Sequence, residues 1–464
     1  MTHFPALGDI SRIDKLWLDR DGTTPGISRA ARTAHRLQIL VGSDVAGSHA
    51  LQVAVMTAVN LAVKCFAAPV LVTAPDDVWT AQNLTRVSIK GTIGEAIEEL
   101  GAERSVADLD SDSISILVGN AQQKRRSLRL TFDGWRVSVG PATKVPRLPE
   151  NPLCSLAPLA AAAVAIGEVF ASFARIAITA MRRPIAFSLW RPDLPIASPE
   201  SLGILAEEAP LELSCFGLGH LGQAYLWALA CLPYGDPRAS TIYLCDDDAV
   251  EPPNLETGAL LNSGMVGARK TRVVARWLED RGFNTRLIER FVDSNYRRSS
   301  REPALALSGF HDNQARHWLA QAEFPLIFDS GLGGDAENFD SIAVHTWPNQ
   351  RTAVDLWPVE DAQKRREREA KVRRQTENPG YHSISPDECG RVLVANKSIA
   401  VPFVGALSSA FVLAELLRTV NAGPVFHDVR LRACALSDRS LASVLRVGQA
   451  EPVSGIRLQR LVQT

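Results

Sequence analysis

Two segments of this chain share one plan, and that repetition limits the fold more than any other feature. The first runs Leu37-Gln-Ile-Leu-Val-Gly42, then Ser-Asp-Val-Ala-Gly47, then an apolar helix-like stretch to Cys65, then Val70-Leu-Val-Thr-Ala74. The second runs Leu211-Glu-Leu-Ser-Cys-Phe-Gly217, then Leu-Gly-His-Leu-Gly222, then an apolar stretch to Leu232, then Thr241-Ile-Tyr-Leu-Cys-Asp246. Gly42 and Gly47 stand at the same spacing as Gly217 and Gly222. Strand, glycine turn, helix and strand make a βαβ unit. Its crossover is right-handed, so its two strands lie parallel.

Further pairs keep the same order. Ser113-Ile-Ser-Ile-Leu-Val-Gly119-Asn120 matches Ala304-Leu-Ala-Leu-Ser-Gly309-Phe310. Asn151-Pro-Leu and the alanine-rich stretch ending Gly167-Glu-Val-Phe170 match Val401-Pro-Phe and the stretch ending Ala414-Glu-Leu-Leu417. Matched features in one order favour duplication over chance likeness between two α/β units. The expected fold class is α/β, with two tandem Rossmann-like doubly wound domains, residues 1–195 and 196–464. The joint is the proline-rich stretch from Pro184 to Pro210.

An irregular segment is expected from Trp357 to about Ser398. It holds Gln363-Lys-Arg-Arg-Glu-Arg-Glu-Ala-Lys-Val-Arg-Arg-Gln375, which is polar on every face. Such a run cannot be a core helix, so a solvated helix or mobile loop is expected. Its functional alternative is a basic arm that meets an acidic partner surface. No aromatic interleaving accompanies it, and the chain's net charge is -1, so neither nucleic acid nor an anionic membrane is an expected partner. The apolar stretch from Cys154 to Gly167 stops at Glu168 and reads as too short to cross a bilayer. The opening Met-Thr-His-Phe-Pro-Ala does not read as a secretory leader, so a reducing cytoplasm is the expected location. Seven cysteines rule out a disulfide scaffold at this length, and no C-x-x-C occurs, so no zinc is expected.

The second half carries the chemistry. Gly217-Leu-Gly219-His-Leu-Gly222 follows a strand and opens a helix, where backbone N–H groups can approach an anion. Asp246 closes the next strand, at the place where a carboxylate takes ribose hydroxyls. Then come Asp247, Asp248, Asn254 and Leu255, then Gly267-Ala-Arg-Lys270, then His311-Asp312-Asn313-Gln-Ala-Arg316 after an apolar strand. A dinucleotide oxidoreductase has little use for a lysine and a second carboxylate at these strand ends. An ATP site uses both: lysine neutralises phosphate charge, and carboxylates hold Mg²⁺ against the phosphates. His311 reads as a packed strand-end residue more readily than as a ligand.

This ordered set resembles the ThiF/MoeB and E1 superfamily of ubiquitin-like activating enzymes over about residues 205–420. The family pattern is G-x-G-x-x-G, D-x-D, N-L, G-x-x-K, then D-N with an arginine. It is met by Gly217, Gly219, Gly222, Asp246, Asp248, Asn254, Leu255, Gly267, Lys270, Asp312, Asn313 and Arg316. The resemblance implies that Asp246 holds the ribose, that Lys270 and Asn254 contact phosphates, and that Asp312 ligates Mg²⁺ with Asp248 nearby. It implies ATP and Mg²⁺ as cofactors and adenylation of the C-terminal glycine of a ubiquitin-like protein. The first half resembles the inactive adenylation domain of E1 enzymes, with Asp44 where Gly219 stands and Ala74 where Asp246 stands. A carboxylate at that turn repels phosphate, so no nucleotide is expected there. One position departs from the pattern: the family's N-L-x-R arginine is Thr257 here. An early arginine of the first half, among Arg12, Arg20, Arg29 and Arg32, is the expected substitute.

E1 enzymes pass the acyl group to a cysteine. Cys389, in Ser385-Pro-Asp-Glu-Cys389-Gly390-Arg391, falls where the family's crossing loop, here about residues 357–398, bears that cysteine. Arg391 or His382 would favour its thiolate, while Asp387 and Glu388 would oppose it. Cys65, Cys154, Cys215, Cys231 and Cys245 read as core, and Cys434 has no assigned place. The resemblance thus implies a single-chain E1-like enzyme handing a ubiquitin-like protein to an E2-like acceptor, with relatives of this layout in bacterial antiphage systems. The alternatives are a ThiF/MoeB-type sulfur-carrier adenylyltransferase, an NAD-dependent oxidoreductase and a non-catalytic scaffold.

Overall fold

The paired apolar runs become paired strands. The computed structural model describes residues 10–34, 36–106, 113–122, 126–436, 443–449 and 454–462. In the first half the strands are β1 (Leu37–Val41), β2 (Val70–Thr73), β3 (Glu103–Arg104), β4 (Ile114–Val118), β5 (Ser127–Asp133), β6 (Arg136–Pro141) and β7 (Ile185–Ser188). They form one sheet in the order β3-β2-β1-β4-β5-β6-β7. A short β8 (Glu208–Pro210) pairs with β17 (Leu458–Arg460) outside both large sheets. The second half supplies β9 (Glu212–Phe216), β10 (Thr241–Cys245), β11 (Asn284–Ile288), β12 (Leu305–Ser308), β13 (Leu326–Leu332), β14 (Ser341–Trp347), β15 (Pro424–Arg432) and β16 (Ser443–Gln449). Their order is β11-β10-β9-β12-β13-β14-β15-β16.

The two sheets follow one scheme. From β3 to β5, and from β11 to β13, neighbours are parallel; the strands beyond are antiparallel. The strand order reverses beside β1 in one lobe and beside β9 in the other. A crevice opens at the carboxyl ends of the strands where such a reversal falls. The chain is therefore two tandem doubly wound lobes, as the repeat predicts.

Helices that are apolar on all sides need cover on all sides. His49–Cys65 is buried at 15 of its 17 residues and Leu156–Phe173 at 16 of 18. Together with His220–Ala230 and Pro402–Val420 they form a layer between the two sheets. Phe170 and Phe403 meet there with ring centroids 5.4 Å apart, and Trp227 donates Nε1–H to Thr57 Oγ1 at 3.2 Å. One continuous apolar cluster joins Ile39 of the first sheet to Leu307 of the second, so the lobes share a core.

Two expectations change. The apolar stretch expected to stop at Glu168 and to be too short to cross a bilayer continues past it, because that carboxylate accepts the Met181 N–H at 2.6 Å and stays buried. The resulting helix, Leu156–Phe173, and its counterpart Pro402–Val420 are long and apolar enough to cross a membrane by length and composition, and 89% of each lies inside the protein. Glu415, the repeat partner of Glu168, likewise accepts a backbone N–H, from Phe426 at 2.8 Å. The segment from Trp357 to Ser398 is also not irregular. It holds three helices, Ala362–Thr376, Pro379–His382 and Glu388–Ala395. Val372, Tyr381, Val394 and Ala395 of these pack on Ile10 and Leu18 of the first lobe. The charged run at 363–375 is the solvated helix among its two expected forms; the packing of the segment as a whole departs from expectation, because its apolar residues are sparse among charges. Cys434 lies buried after β15, its N–H donated to Asp340.

Candidate functional site

The crevice at the ends of β9, β10 and β12 gathers the second lobe's chemistry. Gly217 ends β9 with φ +76, a left-handed conformation that favours glycine, and a Cβ on Gly222 would lie 1.9 Å from the Gly217 carbonyl oxygen. Gly219 differs. A Cβ there would meet nothing within 4 Å, so the protein itself does not require glycine at that place. The open space lies at the N-terminus of helix His220–Ala230, where a phosphate would approach.

Asp246 braces this turn from the end of β10. Its carboxylate accepts the Leu218 N–H at 2.6 Å and the Asp248 N–H at 2.8 Å. Burial raises its pKa, while Lys270 and the two backbone donors pull it back down. Oxygens of Asp246, Asp247 and Asp248 lie within 4.8 Å of one another. Lys270, only 7% exposed, places Nζ 2.6 Å from Asp248 Oδ2. Asn254 accepts the Glu251 N–H at 2.9 Å through Oδ1, which leaves its amide N–H group as a donor.

Asp312 caps helix Asn313–Ala320 by accepting N–H groups of Gln314 and Ala315 at 3.2 and 3.3 Å. It is exposed and lies outside the close carboxylate group of Asp246, Asp247 and Asp248. His311 beside it is also exposed. Arg316 is turned inward. Its Nε lies 3.2 Å from Asp329 Oδ1, and it donates to Phe310 O, Ser330 O and Asn313 Oδ1. Asp329 Oδ2 accepts the Trp357 Nε1–H at 2.9 Å. The arginine of the motif is thus a brace that ties the Asp312 helix to the start of the crossing segment.

The early arginines separate by their partners. Arg20 pairs with Asp21, and Arg32 with Asp14 and Glu256. Arg29 lines a cleft of about 410 Å³ with Asp14, Pro252, Pro253 and Glu256. Arg12 is tied to the end of the crossing segment: its Nε donates to Ser398 O at 2.8 Å, and its charge acts on His220 of the glycine turn and is offset by Glu251. Thr257 is buried, its hydroxyl turned to the Pro253 carbonyl.

In the first lobe the matching turn fills itself. Asp44 Oδ1 accepts the Asn120 N–H at 3.0 Å, and its other oxygen pairs with Arg147. A Cβ on Gly119 would lie 2.3 Å from that carboxylate. Asp44, at the position that matches the open Gly219, therefore fills its own turn against Gly119 and Asn120, and an anion would meet both its bulk and its charge.

Cys389 is exposed in the first turn of Glu388–Ala395, and the other six cysteines are buried. Asp387 caps that helix by accepting the Gly390 N–H at 3.0 Å. Arg391 gives its N–H groups to Ser385 O and Pro386 O, so it holds its own turn rather than the thiol. Burial pushes the Cys65, Cys154 and Cys245 thiols up to about 12, which keeps them inert.

Sequence reasoning missed four residues that organise this crevice. Gln223, fully buried, donates to Leu218 O at 2.9 Å and accepts the Leu260 N–H at 3.2 Å, joining the glycine turn to the loop after Asn254. Arg269 donates to the Asp247 carbonyl beside the carboxylates. Asn60 and Lys64, on the first lobe, bond carbonyls of that same loop. The only signal of Gln223, Asn60 and Lys64 is a polar residue inside an apolar helical run, and Arg269 is marked only by its place beside Lys270.

Comparison with known proteins adds the following. A family model described as the BilD N-terminal domain matches residues 36–189, and one described as the BilD C-terminal domain matches residues 209–423. The chain is 34% identical over 413 residues to a bacterial E1-like protein, BilD, of Collimonas sp. (strain OK412), across 87% of this chain and 86% of that protein. Among solved structures it is similar to E. coli MccB, at 14% identity and a TM-score of 0.35, over 73% of this chain and 96% of that one. It is also similar to E. coli MccB with MccA-N7isoASN, at 14% identity and a TM-score of 0.33, over 52% and 65%.

Proposed function

The chain belongs to the bacterial E1-like BilD family, and from that membership we propose that its second lobe adenylates the C-terminal glycine carboxylate of a ubiquitin-like protein. The observation that carries this reading is the glycine turn left open above Gly219 with Lys270 and three carboxylates beside it. An anionic carboxylate must attack an anionic α-phosphate, so the site needs cations and aligned N–H groups. The turn at Gly217–Gly222 supplies N–H groups, Asn254 an amide donor, and Lys270 a point charge once it leaves Asp248. Arg12 enters from the first lobe and makes up for the cation absent at Thr257. Asp246 keeps lone pairs for ribose hydroxyls while it braces the turn. The all-oxygen donor set of the Asp246–Asp248 cluster, with Asp312 at the helix cap after β12, suits Mg²⁺, which when bound would screen phosphate charge. The substrate carboxylate oxygen forms a bond to the α-phosphorus as the bond to the β-phosphate oxygen breaks, and pyrophosphate leaves.

The Cys389 thiolate then takes the acyl carbon, and AMP leaves with the electron pair of the broken C–O bond. Exposure supports this assignment, since a thioester must be reached by both adenylate and acceptor. An E2-like protein is the proposed acceptor. Residues 361–370 are exposed throughout, with Lys364, Arg365, Arg366 and Arg368 among them, and we take this as the face that meets an acidic partner. Reversing Lys364 and Arg366 to Glu should slow transfer to the acceptor by about tenfold at low salt, with little change at high salt. A cytoplasmic setting and a role in antiphage defence complete the proposal. The two lobes, residues 1–195 and 196–464, act in it as inactive and active adenylation units.

ATP–pyrophosphate exchange, with and without a candidate ubiquitin-like protein, tests the reading. Exchange should depend on that protein and should vanish in Asp312→Ala. Cys389→Ala should keep exchange and lose a thiol-sensitive thioester seen on non-reducing gels. Exchange without any thioester would favour the sulfur-carrier enzyme. No exchange at all would leave the scaffold or the oxidoreductase.

A further inference from the structure

The inactive lobe reaches under the active crevice at one place. Loop 254–261 begins with Asn254, the proposed phosphate donor, and its two ends come together on the C-terminal turn of the first-lobe helix His49–Cys65. Lys64 Nζ donates to Leu255 O at 2.9 Å and to Leu261 O at 3.2 Å. One turn earlier, Asn60 Nδ2 donates to Ala259 O at 3.1 Å. Arg32 holds the side of the loop: Nη1 lies 3.4 Å from Glu256, while Nε and Nη2 grip Cys65 O and Lys64 O at 3.1 and 3.2 Å. From the other face Gln223 takes the Leu260 N–H and hands the loop to the glycine turn through Leu218 O.

We infer that Lys64 is a positioning residue for nucleotide binding: the inactive lobe sets the loop that carries Asn254, and Lys64 pins both ends of it. The inference rests on the adenylation reading. Lys64 touches no reacting atom. It acts through Leu255 O, adjacent to Asn254, and through Leu261 O. Two charge-assisted bonds from one ammonium to two carbonyls six positions apart in sequence close the loop, which a neutral side chain of equal length cannot do. Asn60 and Lys64 are spaced i, i+4 on one helix face, so both meet the loop together. Thr57 lies on the same helix and also bonds across the lobes, to Trp227, but makes no hydrogen bond to the loop. Interface strength and loop position can therefore be varied separately.

The test is calorimetric titration of Mg²⁺-ATP into the full chain, which needs no protein partner. Lys64→Met should raise the dissociation constant about tenfold, the scale of one lost charged hydrogen bond, with the binding stoichiometry unchanged. Lys64→Arg, which keeps the charge and several donors, should recover most of the affinity. Thr57→Val, which weakens the same interface elsewhere, should stay within about twofold of the parent. A Lys64→Met protein that binds within about twofold of the parent would overturn the inference, as would equal weakening by Thr57→Val. If the unaltered chain binds no Mg²⁺-ATP, the adenylation reading itself falls, and this inference with it.

Discussion

Lys270→Met should lower partner-dependent ATP–pyrophosphate exchange by about 10²–10³-fold, the usual scale for removing one electrostatic contact aimed at developing charge. Lys270 is 7% exposed and lies 2.6 Å from Asp248, at the first residue of its helix. In the free protein the ion pair keeps the two charges satisfied. A triphosphate in the crevice would compete for the ammonium, and Asp248 would turn to the metal. Methionine has similar length and shape, so packing survives while the charge does not. Asp248 is then left as an unpaired anion beside phosphate, which adds repulsion to the lost attraction. Lys270→Arg should not rescue fully, since a planar guanidinium does not fill the place of a compact point charge. The fall should appear in kcat/KM, with far-ultraviolet circular dichroism unchanged. A loss below about fivefold would mean that Lys270 only holds Asp248.

Arg316→Ala should cost about 3–5 kcal/mol of stability, because it strips the partner from a carboxylate with no solvent access. Asp329 is fully buried, and its pKa stays below the ordinary value only because Arg316, with help from His345 and Ser308, offsets the cost of burial. Without the guanidinium that carboxylate is an uncompensated charge, and Phe310 O and Ser330 O lose a donor. Thermal unfolding followed by scanning calorimetry checks this. The paired replacement Arg316→Met with Asp329→Leu should regain most of the loss, since no charge remains to bury. If Arg316→Ala kept its transition temperature and lost only Mg²⁺-ATP binding, the motif arginine would act on nucleotide, not as a brace.

The architecture was legible because it is repeated. Apolar runs at Leu37, Val70, Leu211 and Thr241 all became parallel strands, and the matched order of features foretold two sheets of one plan. What was not legible is how one lobe is laid on the other. A helix such as His49–Cys65 shows only that it is buried, and its cover, a second lobe rather than its own sheet alone, is a property of tertiary packing. Glu168 looked like the end of an apolar stretch, yet one backbone N–H from Met181 suffices to bury it. The 357–398 segment looked like loop, because Val372, Tyr381 and Val394 are few among charges and their partners, Ile10 and Leu18, lie far away in sequence.

The same division holds at the crevice. Gly217, Asp246, Lys270 and Asp312 could be singled out because glycine turns and strand-end carboxylates have chemistry that spacing reveals. The direction of Arg316 could not, since spacing does not say whether an arginine faces ligand or core. Nor could the loop's supports be found: Gln223, Asn60 and Lys64 bond carbonyls, and backbone carbonyls leave no mark in a sequence. Nor does spacing separate Arg12 from the other early arginines, since the bond that sets it apart, to Ser398 O, joins positions far apart in sequence.

The most direct measurement is a crystal structure of the full chain with Mg²⁺ and a non-hydrolysable ATP analogue. The account predicts the triphosphate over the Gly217–Gly222 turn of the second lobe alone, with Lys270 drawn from Asp248 onto phosphate and Asn254 donating its amide N–H. Nucleotide seated at Asp44, or a second-lobe crevice left empty with Lys270 still on Asp248, would contradict it.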